Sequence, residues 1–173
     1  MWWIGERHPG KAALDHVRRH LERSFGPGVE VWDDAGRPDE AYDPRRKQWS
    51  STRILSWLAQ AGPQGRILGV TDLDLFIPIL TFVFGEAQVG GRTAVVSTAR
   101  LAEPGLADPR IVLERLSKEA VHEMGHVFGL LHCETPRCVM GRSPSVRDVD
   151  LKRGELCPAC RQWIGGGDQR EAT

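Results

Sequence analysis

Three histidines and one glutamate fall within a single short segment: His122, Glu123, His126 and His132. Residues four apart on an α-helix lie on one face, one turn above the other, so His122 and His126 can offer two imidazole nitrogens to one ion. Zinc takes such ligands at ~2.0–2.1 Å and prefers four of them in a tetrahedron. Gly129 follows His126 where a helix can end in the left-handed conformation, and a sharp turn there returns His132 as the third ligand. Three neutral imidazoles leave the ion doubly positive with one position open to water, whose pKa then falls toward ~7. Glu123, beside the first ligand, is placed to take the proton of that water as general base and to pass it to a leaving amine. From this composition His-Glu-x-x-His arises by chance in roughly 1 in 100 shuffled sequences, and adding Gly129 and His132 lowers that to on the order of 1 in 20,000.

A second ligand set follows at once. Cys133 and Cys138 are separated by 18 residues from the pair Cys157 and Cys160. Four thiolates make a closed structural zinc site with no position for substrate. A redox Cys-x-x-Cys or unligated core cysteines are the alternatives. The redox alternative is weakened because the second pair does not follow a clear strand in a βαβ unit. Met140, just beyond the histidines, is placed to form an apolar floor beneath them without acting as a ligand.

The rest of the chain supplies elements to carry these groups. Helical spacing of Ala13, Leu14, Val17, Leu21 and Phe25 predicts a helix over residues 11–25, ended by Gly26-Pro27-Gly28. A second helix is expected over 49–61, burying Trp49, Ile54, Leu55, Trp57 and Leu58. Strands are expected at 2–4, 29–32, 66–71, 82–84 and 93–97, the last two joined at Gly90-Gly91. Residues 33–44 read as an exposed loop, and a polar, Gly-rich tail from 165 as frayed. The metal-bearing helix should begin at Asp108-Pro109, with Asp as cap and Pro in the first turn, and run to Gly129. Asp72 and Asp74 read as loop acceptors for backbone amides rather than metal ligands, and Glu86 is ambiguous.

Bulk properties narrow the function. The 173 residues suit one sizeable core, with Lys plus Arg and Asp plus Glu both at 23. A neutral chain lacks the basic excess that a polyanion partner selects, so no nucleic-acid partner is expected. The longest apolar stretch is broken by Asp74 and Pro78 and falls short of the ~20 residues that span a bilayer, so no membrane partner is expected. The N-terminus shows no basic segment followed by an apolar one, and none resembling a pro-domain. The expectation is a cytoplasmic monomer whose cysteines serve as metal ligands rather than disulfides.

The segment from His122 to His132 resembles the extended zinc signature of metzincins. Its continuation through Cys133, Cys138, Met140, Cys157 and Cys160 resembles the archaemetzincin family in particular, as do residues 68–76 and 82–87. The resemblance covers most of 67–160 and is weakest before about residue 45. It implies an α+β zincin core with a mixed, twisted sheet and an active-site helix below it. It also implies a small C-terminal lobe with a methionine turn, and two zinc ions, one catalytic and one structural. The expected division is an N-terminal subdomain over 1–129 and a C-terminal one over 130–173. The resemblance further implies a peptide or protein substrate bound by strand addition to an edge strand, expected within 89–97. The expected function is a zinc metallopeptidase, endo- or aminopeptidase. A catalytically weak zincin-like peptide-binding protein is the alternative, and a nucleic-acid-binding zinc protein a third reading.

Overall fold

The computed structural model describes residues 1–32, 36–102 and 108–167. Its elements in chain order are β1 (Trp2–Trp3), α1 (Lys11–Phe25), β2 (Tyr42–Asp43), β3 (Gln48–Ser50), α2 (Ser51–Ala61), β4 (Ile67–Thr71), β5 (Leu75–Phe76), β6 (Gly85–Ala87), β7 (Thr93–Ser97), α3 (Pro109–Val127), α4 (Val146–Leu151) and α5 (Pro158–Gly167). Among the described residues one sheet has the order β1-β4-β7-β6, with β6 antiparallel to β7 and the other pairs parallel. A smaller sheet joins β2, β3 and β5. The fold is thus α+β with mixed sheets.

The two central strands, β4 and β7, are buried along their whole length. A parallel strand covered on both faces reads as a continuous apolar run, and side-chain alternation sorts its residues between two layers. Leu68, Val70, Ala94 and Val96 point toward α1 and α3, where they join Leu14, Val17, Leu21, Leu116, Ala120 and Val121. Ile67 and Val95 point the other way, onto Ile54, Leu55 and Leu58 of α2. The first of these layers continues into Val139, Met140, Val149 and Leu156, so the segment after α3 shares that apolar cluster.

Several boundaries differ from the sequence expectation. Residues 29–32 form no strand; Trp32 alone bridges to Trp2. Of the expected loop, 33–35 lie outside the described residues, while Asp39–Ala41 form a 3₁₀ turn and Tyr42–Asp43 pair with β3. α2 starts at Ser51 because Ser50 caps it, accepting a bond from the Arg53 amide at 3.4 Å. Trp49 therefore belongs to β3, and Trp57 is only half-buried. The strand expected at 82–84 lies at Gly85–Ala87 instead. α5 stays helical through Gly167, and the rest of the expected frayed tail lies outside the described residues. Asp72 does cap a loop, accepting from the amides of Glu6 at 2.8 Å and Arg7 at 3.1 Å. Asp74 accepts from the Arg100 guanidinium and the Gln48 side-chain amide rather than from a backbone amide. Glu86 is held by the hydroxyls of Ser51 and Thr52.

Candidate metal centres

α3 begins as its sequence dictates. Asp108 accepts from the Arg110 amide at 2.9 Å, and Pro109, which lacks an N–H, occupies the first turn. From Arg115 onward almost every side chain is buried, including charged ones. A buried charge is costly unless paired. Arg115 forks onto Asp150 at 2.8 and 2.7 Å and reaches the Leu101 carbonyl at 2.7 Å. Glu119 meets Lys152 at 3.1 Å, both side chains being 4 % exposed. The Lys152 ammonium also lies 3.4 Å from His122 Nδ1.

The helix ends in a Schellman turn. The amide of Gly129 bonds to the His126 carbonyl at 2.8 Å, and that of Leu130 to the Gly125 carbonyl at 2.9 Å. Gly129 has φ 89°, the conformation its position in the sequence calls for. The turn also orients one histidine, and the segment after it orients the other. His126 Nδ1 donates to the Leu130 carbonyl at 2.7 Å and His122 Nδ1 to that of Val139 at 2.9 Å. Each bond fixes the tautomer whose Nε2 carries the free lone pair.

Those two Nε2 atoms converge to 3.2 Å. Bonds of ~2.0–2.1 Å to a tetrahedral zinc would set a nitrogen–nitrogen edge of ~3.3–3.4 Å. His132 completes the cluster, its ring centroid 5.4 Å from that of His122 and 5.0 Å from that of His126. Burial, then the Lys152 charge, holds His122 well below the usual imidazole range. Burial also lowers His126 and His132, so the rings stay in the neutral state a cation needs. Two lone pairs aimed at one point repel each other unless a cation lies between them, so the donor set fits zinc.

Glu123 stands beside this point in a cleft of about 530 Å³ lined also by Phe84, Gly85, Glu119, His122 and His132. Burial, then the Glu119 charge, pushes its carboxyl well above the usual carboxylate range against the opposing effect of Lys152. Gly85 gives it room: a Cβ there would sit 2.7 Å from Glu123 Oε1. Met140 is fully buried and packs on the helix at Gly125, where any side chain would collide with its sulfur. The expected apolar floor is therefore under the helix turn that carries the histidines.

The four cysteines also come together, as free thiols. Cys133 and Cys157 Sγ are 3.8 Å apart, and Cys138 and Cys160 Sγ 3.9 Å. Zinc–sulfur bonds of ~2.3 Å predict edges of ~3.8 Å, whereas a disulfide needs ~2.05 Å. Amides of Thr135 and Cys157 point at Cys133 and Cys138 Sγ at 3.4 and 3.5 Å, while burial pushes the Cys138 thiol up. Hydrogen bonding led by the Cys160 amide brings the Cys157 thiol down to about 6.

All the candidate residues read from the sequence thus fall into two clusters. The Glu119–Lys152 pair was missed, because 33 residues separate its members and no spacing rule links them. The sheet edge was misplaced: β7 is internal and β6 is outermost, so the expectation of an edge within 89–97 is corrected to Gly85–Ala87. A Gly-Glu-Ala strand carries no β-branched residue to announce it.

Fold and site together define a zinc-dependent metallopeptidase. Residues 64–165 match the model of peptidase family M54, and the chain belongs to that family, the archaemetzincins. The archaemetzincin of Methanopyrus kandleri is 41% identical over 152 residues, 87% of this chain and 85% of the relative. That of Archaeoglobus fulgidus is 46% identical over 151 residues, covering 87% and 90%. The crystal structure of a zinc-dependent peptidase from Methanocorpusculum labreanum superposes with a TM-score of 0.85 at 29% identity, covering 94% of this chain and 98% of that one.

Proposed function

We propose that His122, His126 and His132 hold one catalytic zinc, that Cys133, Cys138, Cys157 and Cys160 hold a second, structural zinc, and that Glu123 is the general base of peptide hydrolysis. The reading rests on the paired histidines: both Nδ1 atoms are committed to carbonyls, which leaves two Nε2 lone pairs 3.2 Å apart beside a buried carboxylate. Zinc, when bound, supplies the positive charge that acidifies water and polarises the scissile carbonyl. The protein side chains do the rest. Glu123 takes the proton of the attacking water on its carboxylate and delivers it to the leaving amine. Glu123 lies next to the first histidine on the same helix and borders the cleft, within reach of both proton transfers. A substrate strand adds to the outer edge of β6, which borders the cleft through Gly85. The four free thiols suit a reducing compartment, and we place the protein in the cytoplasm.

Glu123 also favours hydrolysis over a binding-only scaffold, which needs no base at this position. Glu123→Gln keeps the side-chain size and removes the basicity. Peptide cleavage should fall by ~10²–10⁴-fold while zinc content and peptide affinity stay near wild type. Cleavage at the wild-type rate by the Gln variant would refute the mechanism. A zinc-loaded wild type that binds peptides from a library and cleaves none of them would put the binding-only reading first.

A further inference from the structure

A third group of ligand-type side chains lies outside both clusters. His16 and His20 sit one turn apart on α1, their ring centroids 4.8 Å apart, and Glu114 reaches them from α3. One nitrogen or oxygen from each of the three lies within 4.8 Å of the others. We infer that His16, His20 and Glu114 form an accessory binding site for a divalent transition-metal ion of the zinc class, clamping α1 to the helix that bears His122 and His126.

The strongest support is an unsatisfied atom. His16 Nε2 is shut off from solvent and makes no hydrogen bond among the described residues. Glu114 Oε1 approaches it to 3.1 Å, an ion-pair distance, but out of line for a hydrogen bond. A simple His–Glu pair would align that contact and would leave His20 without a role. A cation shared by the three explains both the misaligned approach and the tilted rings. Burial, then the nearby Arg23 charge, lowers His20 below the usual imidazole range and keeps it a neutral donor.

Two imidazoles and one carboxylate match the preference of borderline ions such as zinc, while magnesium and calcium prefer all-oxygen shells. The surrounding charges are largely occupied. Arg18 and Arg19 bind Asp15, and Lys118 Nζ donates to the carbonyls of Val149 and Asp150. Glu114 is half exposed and Arg23 opposes a cation, so this site should be the weakest of the three clusters. Glu114 lies two turns before His122 on α3, ~12 Å along the helix axis, so an ion here would act by fixing helix packing rather than by touching substrate.

The test is a zinc count on the full chain, dialysed against buffers of defined free zinc. The wild type should take up one more zinc than a His16→Gln, His20→Gln double variant. That difference does not depend on how many ions the histidine and cysteine clusters near α3 hold, so it can fail or succeed separately from the proposed catalytic reading. Glu114→Gln, at a half-exposed position, should weaken the additional zinc by at least about tenfold. In wild-type protein the His16 and His20 imidazole NMR signals should shift as that last equivalent binds. The same zinc count in wild type and double variant overturns the site. If the double variant fails to fold, imidazole signals unmoved by zinc, or an unchanged affinity in Glu114→Gln, overturn it equally.

Discussion

The histidine and cysteine clusters lie next to each other in the chain, at His132 and Cys133, yet they are held in opposite ways. Two of the histidines project from a 19-residue helix, and backbone carbonyls lock their rings. The cysteines come from turns and from the start of α5, where backbone bonds such as Cys133 N–H to the Met140 carbonyl bring their sulfurs to 3.8 and 3.9 Å in pairs. A thiolate cluster at that spacing repels itself unless a cation is shared. On the proposed reading, the imidazole cluster is a binding site prepared by the folded chain, whereas the thiolate cluster would complete its own segment on binding zinc. In such lobes metal-binding energy is folding energy.

That contrast can be broken most directly at Cys160, which is buried in the apolar cluster shared with α3. Cys160→Ser should cost ~4–5 kcal/mol or more and leave the segment after α3 open to proteolysis, as loss of a structural metal does. His132→Ala, at an exposed position, should leave the thermal midpoint nearly unchanged. Equal losses of melting temperature in the two variants would erase the distinction.

A smaller effect tests whether the histidine side is finished without metal. Lys152→Met strands Glu119 in the interior, and an unpaired buried charge costs ~3–5 kcal/mol, less the part that protonation of the carboxyl recovers. Adding Glu119→Gln should restore most of that stability, because an apolar or neutral pair can replace a buried ion pair. Chemical denaturation of the single and double variants measures the coupling. Failure of the second substitution to rescue the first would mean that the pair does more than neutralise itself.

The smallest difference is kinetic. In a His16→Gln, His20→Gln background, which leaves only the other two clusters among the described residues, and with a colorimetric chelator in excess, zinc from the histidine cluster on α3 should leave about tenfold faster or more than zinc from the closed thiolate cluster. His132→Ala should abolish the fast phase alone. A fast phase that survives in that variant and disappears in Cys157→Ser would reverse the assignment.

Much of this was readable from residue spacing because the signals are local. Residues 11–25 gave α1 with both boundaries and Asp108-Pro109 gave the start of α3, which ends at Val127 rather than Gly129, since periodicity and caps act within one turn. The residues that gather into the histidine and cysteine clusters were readable from their spacing as well. The small sheet of β2, β3 and β5 was not, because strands of two or three residues carry no measurable alternation. Gly85–Ala87 was missed because its position follows from close approach to Glu123, a property of the folded neighbour rather than of the strand. Glu119 with Lys152, and Glu114 with His16, join distant segments, and nothing short of the fold reveals them.

Gly129 carries a final implication. Its φ of 89° already excludes most side chains, and a Cβ there would also stand 2.7 Å from the indole of Trp163, on the same helix as Cys160. Two separate vetoes fall on one hydrogen atom. In a library of random variants this site should tolerate no exchange that a compensating change at residue 163 alone could rescue, since relieving the collision leaves the backbone penalty in place. Gly165 and Gly166, with nothing within 4 Å of an added Cβ, should drift freely among small polar residues.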